Sequence, residues 1–222
     1  AREAMEYDVV IVGAGPAGLT TAIKLKQLDP NLNVCILEKG SEVGAHILSG
    51  NVFETKALDE LIPNWKNEGA PVKTKVSKEK FLFLGKNSSL SWPTWLLPSV
   101  QKNHKNYIVS LANLCRWLAE QAEKLGVEIF PGFPASEVLY NEDGSIKGVA
   151  TLDMGLDKDG NKKDTYQEGM ELHAKVTVFS EGCRGHLGKQ LIKKFNLDEG
   201  KNPQQYGIGL KEIWEVSEQQ HQ

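Results

Sequence analysis

The first hydrophobic run of the chain has no polar position in it. Residues 9–12 (Val-Val-Ile-Val) are all β-branched, and such a continuous run is typical of a strand buried on both faces in a parallel sheet. A glycine-rich turn follows at once. Leu19, Ala22 and Ile23 then recur at helical spacing, which predicts a helix with one apolar face. The pair Asp29-Pro30 predicts its end.

Further apolar patterns predict the continuation of an α/β unit. Residues 34–37 predict a second strand that ends at Glu38, and residues 53–80 read as charged and only partly helical. Residues 106–126 carry apolar side chains near a spacing of 3.6 and predict an amphipathic helix, with Gly126 as its C-cap. Residues 127–130 then predict another strand of the sheet.

The periodicity changes in the second half of the chain. From residue 138 to residue 179, short strand-like segments alternate with the turn signals Asp143-Gly144 and Asp159-Gly160. This pattern predicts an antiparallel β-meander inserted in the α/β unit. Residues 174–179 predict the return strand, which leads through Ser180, Glu181 and Gly182 into a last helix. The predicted fold class is α/β, a Rossmann-like domain with a parallel sheet and an inserted meander.

Composition and charge reduce the number of function classes that the chain could belong to. The 222 residues are 40% hydrophobic and 25% charged with a net charge of −3, as in ordinary globular proteins. Such a balance gives no electrostatic basis for binding nucleic acid. No stretch approaches the roughly 20 apolar residues of a spanning helix. The three cysteines are far apart in sequence, so we expect reduced thiols and no metal site.

The glycine-rich turn indicates the chemistry of a ligand. Gly13, Gly15 and Gly18 follow the first strand at G-x-G-x-x-G spacing. In a dinucleotide site these glycines allow the tight turn, the approach of a pyrophosphate and close helix–strand packing. Pro16 suits the first helical position, and the helix amino terminus favours phosphates. The alternative is a tight turn without a ligand.

A carboxylate after the second strand selects among dinucleotides. Glu38 lies 20 residues beyond Gly18, where a carboxylate accepts hydrogen bonds from ribose and repels a 2′-phosphate. We therefore expect FAD or NAD rather than NADP. The meander interrupts the strand–helix repeats of a nicotinamide domain, and three glycine-rich loops (residues 13–18, 44–50 and 181–185) suit the longer FAD. No Ser-His-Asp or paired-carboxylate set is evident, so no catalytic side chain is predicted.

An apolar segment, residues 81–98, stands apart from the sheet elements. It contains Trp92, Trp95 and several leucines, interrupted by prolines and polar residues, so it is no spanning helix. Tryptophan with leucine suits shallow insertion at a membrane surface. The alternative is that these side chains pack beneath the flavin domain.

Taken together, the motifs resemble one family, electron transfer flavoprotein:ubiquinone oxidoreductase. The resemblance covers nearly all of residues 5–214. It rests on the following segments: residues 7–19, 44–50, 106–109, 171–177, 181–187 and 206–212. Geranylgeranyl-reductase-like flavoproteins share the first and last of these motifs but not the full set.

The resemblance implies FAD as cofactor and assigns residues to it. Gly13, Gly15, Pro16, Ala17 and Gly18 would meet the pyrophosphate. Glu38, followed by Lys39, would meet the ribose. The residues along the flavin would be Gly44, His46, Ser49 and Gly50, and Glu181 and Gly182 would lie near the middle of the cofactor.

The resemblance also implies partners and a location. The family takes electrons from reduced electron transfer flavoprotein and passes them to ubiquinone, at the matrix face of the mitochondrial inner membrane or at the bacterial cytoplasmic membrane. Its members are longer and hold a 4Fe–4S cluster, which needs four cysteine thiolates, and three distant cysteines cannot supply them. The expectation is an amino-terminal portion, with residues 1–200 as the FAD domain and residues 201–222 beginning a truncated quinone domain, whose first strand would span residues 206–214.

Two other functions remain open from the sequence. One is a flavin-dependent reductase of a lipid-like substrate, similar to the geranylgeranyl reductases. The other is a truncated, non-catalytic nucleotide-binding module that keeps the glycine turn without turnover.

Overall fold

The computed structural model describes residues 2–48, 50–208, 210, 212 and 215–221. Its strands are β1 (Ala4–Val12), β2 (Val34–Glu38), β3 (Asn51–Phe53), β4 (Thr74–Lys75), β5 (Phe81–Leu84), β6 (Ser89–Trp92), β7 (Tyr107–Val109), β8 (Glu128–Pro131), β9 (Ala135–Tyr140), β10 (Ile146–Thr151), β11 (Met154–Leu156), β12 (Lys162–Gln167) and β13 (Glu171–Phe179). Its helices are α1 (Pro16–Leu28), α2 (Lys56–Leu61), α3 (Leu111–Lys124), α4 (His186–Phe195) and α5 (Glu218–His221).

A six-stranded sheet with β1 near its centre organises the fold. The strand order is β8-β2-β1-β13-β10-β9. The pairs β8–β2, β2–β1 and β1–β13 are parallel, and β10 runs antiparallel to both β13 and β9. The meander of β9, β10 and β13 thus joins the parallel part of the sheet through β13, which is far from β1 in the sequence.

The sheet is buried on both faces around β1 and β2, which explains their unbroken apolar runs. On one face, Ile11 and Ile36 pack with α1 and α3 through side chains such as Leu19 and Ala122. On the other face, Val10 and Cys35 belong to a second cluster that includes Leu187 and Leu191 of α4. Alternate side chains of a strand point to opposite faces, so every position of residues 9–12 and 34–37, the parts of these strands that are covered on both faces, is apolar.

The helix predicted over residues 106–126 is wrong at its beginning. Residues 107–109 form β7, which pairs with both β3 and β4. The helix begins at Leu111, because the Ser110 hydroxyl accepts a hydrogen bond from the Asn113 amide at 3.3 Å and caps the amino terminus. The helix ends slightly earlier than predicted: Lys124 is the last helical residue, Leu125 is the C-cap, and Gly126 follows it with a φ of +84°.

Most other predicted elements are confirmed, with small shifts. Helix α1 ends just before Asp29, as expected. The two Asp-Gly turns link β9 to β10 and β11 to β12. The strand expected over residues 127–130 lies one residue later, as β8, and the helical part of residues 53–80 is confined to α2.

The carboxyl-terminal strand predicted over residues 206–214 is not seen in the part of it that is described. Tyr206, Gly207, Ile208, Leu210 and Glu212 have no regular secondary structure. The other four positions, Gly209, Lys211, Ile213 and Trp214, lie outside the described residues. The division into two domains at residue 200 stays a prediction.

The structure also gives the state of the three cysteines. The three thiols are free, with Cys35 and Cys115 buried and Cys183 exposed. Burial, with a smaller contribution from the nearby charge of Glu38, raises the pKa of the Cys115 thiol to about 11. Within the described residues, no helix combines the length and the apolar character needed to cross a membrane.

The contact of α1 with the sheet yields a stability prediction. Leu19 is fully buried (0% exposed), whereas Leu28 of the same helix is 71% exposed. Leu19→Ala should lower the free energy of unfolding by about 2–5 kcal/mol because it leaves a cavity against the sheet. Leu28→Ala, the matched control, should change it by less than about 0.5 kcal/mol. Urea denaturation of both variants measures the difference, and equal midpoints would contradict the packing described.

Candidate dinucleotide site

Three parallel strands end at the same edge of the sheet. Strands β2 and β13 flank β1 on opposite sides, and the chain passes from β1 through α1 to β2. The neighbouring carboxyl ends of β1 and β13 therefore form a topological switch point. In open α/β sheets, ligands bind in the crevice at such a point. Both glycine-rich turns predicted from the sequence lie there.

Gly13 makes the close contact between the two turns. Its φ is +106°, and a Cβ at this position would lie 2.6 Å from the carbonyl oxygen of Ser180. The Ser180 hydroxyl donates to the carbonyls of Val12 and Gly13 at 2.9 and 3.1 Å. Sequence reasoning missed this role of Ser180, because nothing local distinguishes it from an ordinary serine at a strand end.

Gly18 allows α1 to lie close to the sheet. A Cβ there would clash with the Gly13 carbonyl oxygen and would lie 2.7 Å from the Ser180 hydroxyl oxygen. The backbone contact between α1 and the end of β1 therefore requires glycine. Gly13 and Gly18 fulfil the steric roles predicted for the first and third glycines.

Gly15 differs from these two because it faces open space. No atom lies within 4 Å of the position that its Cβ would take. It precedes α1 in extended conformation, without a side-chain cap, and Pro16 occupies the first helical turn. Among hydrogen bonds between described residues, none uses the amides of Gly15, Ala17 or Gly18 as a donor. These amides and the open space form a cradle suited to an anion.

Glu38 connects the glycine turn to the next loop. One carboxylate oxygen accepts from the Ala14 amide at 2.9 Å, and the other accepts from the Gly40 amide at 2.7 Å. A carboxylate oxygen has two acceptor positions, so the half-buried group retains capacity for the hydroxyls of a ribose. The neighbouring Lys39 is exposed.

The loop after Glu38 lies against α3. Gly44 has a φ of +90°, and a Cβ there would lie 2.9 Å from the Ala112 carbonyl oxygen. Glu42 and Arg116 form an ion pair at 2.8 Å that also joins the loop to this helix. His46 and Gly50 are exposed, and Ser49 lies outside the described residues. The loop adjoins Glu38 through Gly40, but no contact between described side chains joins His46 to the glycine turn.

Glu181 has a role that sequence reasoning did not anticipate. Its carboxylate accepts from the amides of His186, Leu187 and Gly188 at 3.0, 3.2 and 2.7 Å. It therefore caps the amino terminus of α4 from five to seven residues upstream, a spacing that no local capping pattern covers. Gly182 beside it is exposed, with a φ of +80° and no neighbouring atom within 4 Å. At this turn the Glu181 carboxylate is engaged by the amides of α4, whereas Gly182 is exposed.

A separate cleft lies at the opposite end of the sheet. It has a volume of about 460 Å³ and is lined by Glu6, Asp8, Asn33, His173 and Lys175, among others. These residues lie at the beginning of β1, before β2 and within β13, far along the strands from the glycine turns. Ion pairs such as Asp8–Lys175 at 2.7 Å occupy its wall. The candidate dinucleotide site is the cradle at the carboxyl edge of the sheet.

Comparison with known proteins decides the relationship. The chain is 57% identical to the probable electron transfer flavoprotein-ubiquinone oxidoreductase of Acinetobacter baylyi, covering 99% of this chain and 40% of that protein. The mitochondrial enzymes of Dictyostelium discoideum and Bos taurus are 55% and 53% identical over 100% and 98% of this chain, which spans 37% and 36% of their lengths. The chain is homologous to the amino-terminal part of these oxidoreductases. It spans about two fifths of their length, and the family resemblance expected from the sequence is confirmed.

The fold is confirmed independently. The Thi4 family profile matches residues 1–61. The structure of THI4 from Thermovibrio ammonificans matches with a TM-score of 0.56 at 18% identity, over 86% of this chain and 63% of that one. A geranylgeranyl bacteriochlorophyll reductase-like protein from Thermoplasma acidophilum matches with a TM-score of 0.54 at 19% identity, over 79% and 39%. The chain thus has a Rossmann-like FAD-binding fold.

The cradle at Gly15 yields a prediction that separates binding from folding. Gly15→Val should leave the fold intact, because its φ of −79° and ψ of −178° suit any residue, but the side chain would fill the cradle and abolish FAD retention. Gly207→Val, at an exposed glycine that is likewise free of neighbours, serves as the matched control. Visible flavin absorbance of the purified variants and their melting temperatures measure both properties. FAD content equal in the two variants would contradict the site.

Proposed function

We propose that this chain is the FAD-binding, amino-terminal portion of an oxidoreductase that accepts electrons from reduced electron transfer flavoprotein and passes them to ubiquinone. The observation that carries the proposal is the open cradle at Gly15, at the switch point between β1 and β13. It occurs in a chain that matches the named oxidoreductases over nearly its whole length. FAD supplies the electron-transfer chemistry when bound, and the chain binds and orients it.

The residues at the carboxyl edge fit this cofactor. We assign the pyrophosphate to the turn of Gly13, Gly15, Pro16, Ala17 and Gly18, where the amides of Gly15, Ala17 and Gly18 donate to no described residue. Glu38, with Lys39 beside it, takes the ribose through the acceptor positions that Ala14 and Gly40 leave open. Along the flavin we place Gly44, His46, Ser49 and Gly50, and near the middle of the cofactor Glu181 and Gly182. There, Gly182 contributes backbone while the Glu181 carboxylate holds α4.

The remaining parts of the electron path belong to the longer protein that we propose. The described residues contain no group of three or more His, Cys, Asp or Glu side chains that could hold a metal ion. We therefore assign the 4Fe–4S cluster and most of the quinone site to sequence outside this chain, and residues 201–222 to the beginning of the quinone domain. Electron transfer flavoprotein and ubiquinone are its proposed partners.

The proposed location is the matrix face of the mitochondrial inner membrane, or the corresponding bacterial membrane, with residues 81–98 at its surface. Strands β5 and β6 form a hairpin in which every residue is exposed. Leu84 is 78% exposed and Trp95 is 74% exposed. These side chains do not pack beneath the FAD domain, which supports the membrane contact over that alternative.

Replacing the two tryptophans tests the membrane contact. Trp92→Ser with Trp95→Ser should reduce flotation with liposomes, because indole rings favour the bilayer interface. The control changes two exposed leucines elsewhere, Leu28→Ser with Leu197→Ser, which are 71% and 57% exposed. Flotation lost equally in both double variants, or kept in both, would refute the contact.

The redox proposal is tested by spectroscopy and then by turnover. The purified chain should be yellow, and acid should release FAD from it. The complete gene product should reduce ubiquinone with reduced electron transfer flavoprotein as the donor. A colourless chain that does not take up added FAD would favour the non-catalytic nucleotide-binding module. Flavin without quinone reduction would favour a reductase of a lipid-like substrate.

A further inference from the structure

Positive charge is concentrated around the exposed hairpin. Residues 73–105 contain seven lysines and a single acidic residue, Glu79, a net of +6 in a chain whose total is −3. We call this set the lysine cluster: Lys73, Lys75, Lys78, Lys80, Lys86, Lys102 and Lys105. None of the seven forms an ion pair with another described residue.

The fold gathers three of these lysines at the base of the hairpin. The Asn103 amide donates to the Glu79 carboxylate at 2.9 Å, which brings the two ends of the segment together. Lys78 and Lys80 flank Glu79, and Lys102 precedes Asn103. The Lys102 ammonium donates to the Trp95 carbonyl at 3.0 Å, so it also lies beside an exposed tryptophan. Lysines distant in sequence thus border one apolar surface.

Three aromatic side chains and one leucine share one face of the hairpin, while Leu82 and Leu84 lie on the opposite face. Phe81 is opposite Trp92, and Phe83 is opposite Leu90, so these four side chains share a face. The rings pack edge to face, with centroids 5.4 Å apart for Phe81–Phe83 and 6.0 Å for Phe83–Trp92. The tip, residues 85–88 (Gly-Lys-Asn-Ser), is polar. A hairpin with this pattern suits a position flat along an interface.

We propose that the lysine cluster and this aromatic face form one surface that binds anionic phospholipid headgroups, with the hairpin lying along the membrane. The inference rests on the membrane contact of the proposed function, and it adds the class of lipid that this contact selects. The binding strength of a membrane surface site is the sum of two contributions, the burial of apolar side chains and the attraction of basic side chains to anionic lipids. Each lysine near such a surface strengthens binding about fivefold. The unpaired charges of the cluster complement that surface.

Vesicle co-sedimentation of the 222-residue chain tests the selectivity. Binding to vesicles of phosphatidylcholine with phosphatidylglycerol should exceed binding to phosphatidylcholine alone by about tenfold or more, and high salt should remove the excess. Lys78→Gln with Lys80→Gln should weaken binding to the anionic vesicles about ten- to thirtyfold. The matched control, Lys158→Gln with Lys163→Gln, removes the same charge from exposed positions near β11 and β12 and should bind like the unaltered chain.

The other outcomes separate the claims. Equal binding to both vesicle types, or equal loss in the two double variants, overturns the role of the lysine cluster while the membrane contact stands. Binding to neither vesicle type overturns both and indicates that a protein surface covers the hairpin. The FAD content of the same samples reports on the redox proposal separately.

Discussion

The parallel pairing of β1 with β13 is the constraint on which the site depends. It joins residues that are more than 160 positions apart in the chain, and it sets the two glycine-rich turns side by side. The contact is backbone to backbone, with Gly13 against Ser180, and the Ser180 hydroxyl fastens it. Gly18 lets α1 approach the end of β1, and the amides of Gly15, Ala17 and Gly18 donate to no described residue.

Glu38 and Glu181, two glutamates near the ends of strands, have different roles around this contact. Glu38 and Glu181 each follow a strand of the sheet and precede a glycine turn. Glu38 ties two loops together and keeps acceptor positions at the crevice. Glu181 instead gives its carboxylate to three amides of α4. The first glutamate therefore suits ligand binding, while the second fixes the helix that follows the second turn.

The hairpin of β5 and β6 gives the molecule a second, chemically distinct surface. The dinucleotide cradle is built from backbone amides and is small, whereas the hairpin exposes aromatic and leucine side chains bordered by lysines. Its strands pair with each other and with no other strand of the described part. The proposed transfer of electrons from electron transfer flavoprotein to ubiquinone requires both kinds of surface.

Sequence by itself determined the strand–turn–helix at residues 9–28 and the strand to Glu38, because β-branched runs and glycine spacing act locally. It also determined the antiparallel pairs β9–β10 and β11–β12 through their Asp-Gly turns. It misassigned residues 106–109, whose strand exists only because β3 and β4 pair with it. The tertiary structure alone decided the Ser180 contact, the Glu181 cap and the exposure of the hairpin. Each of these features depends on contacts between backbone groups that are far apart in the sequence. The periodicity of a short segment does not show such contacts.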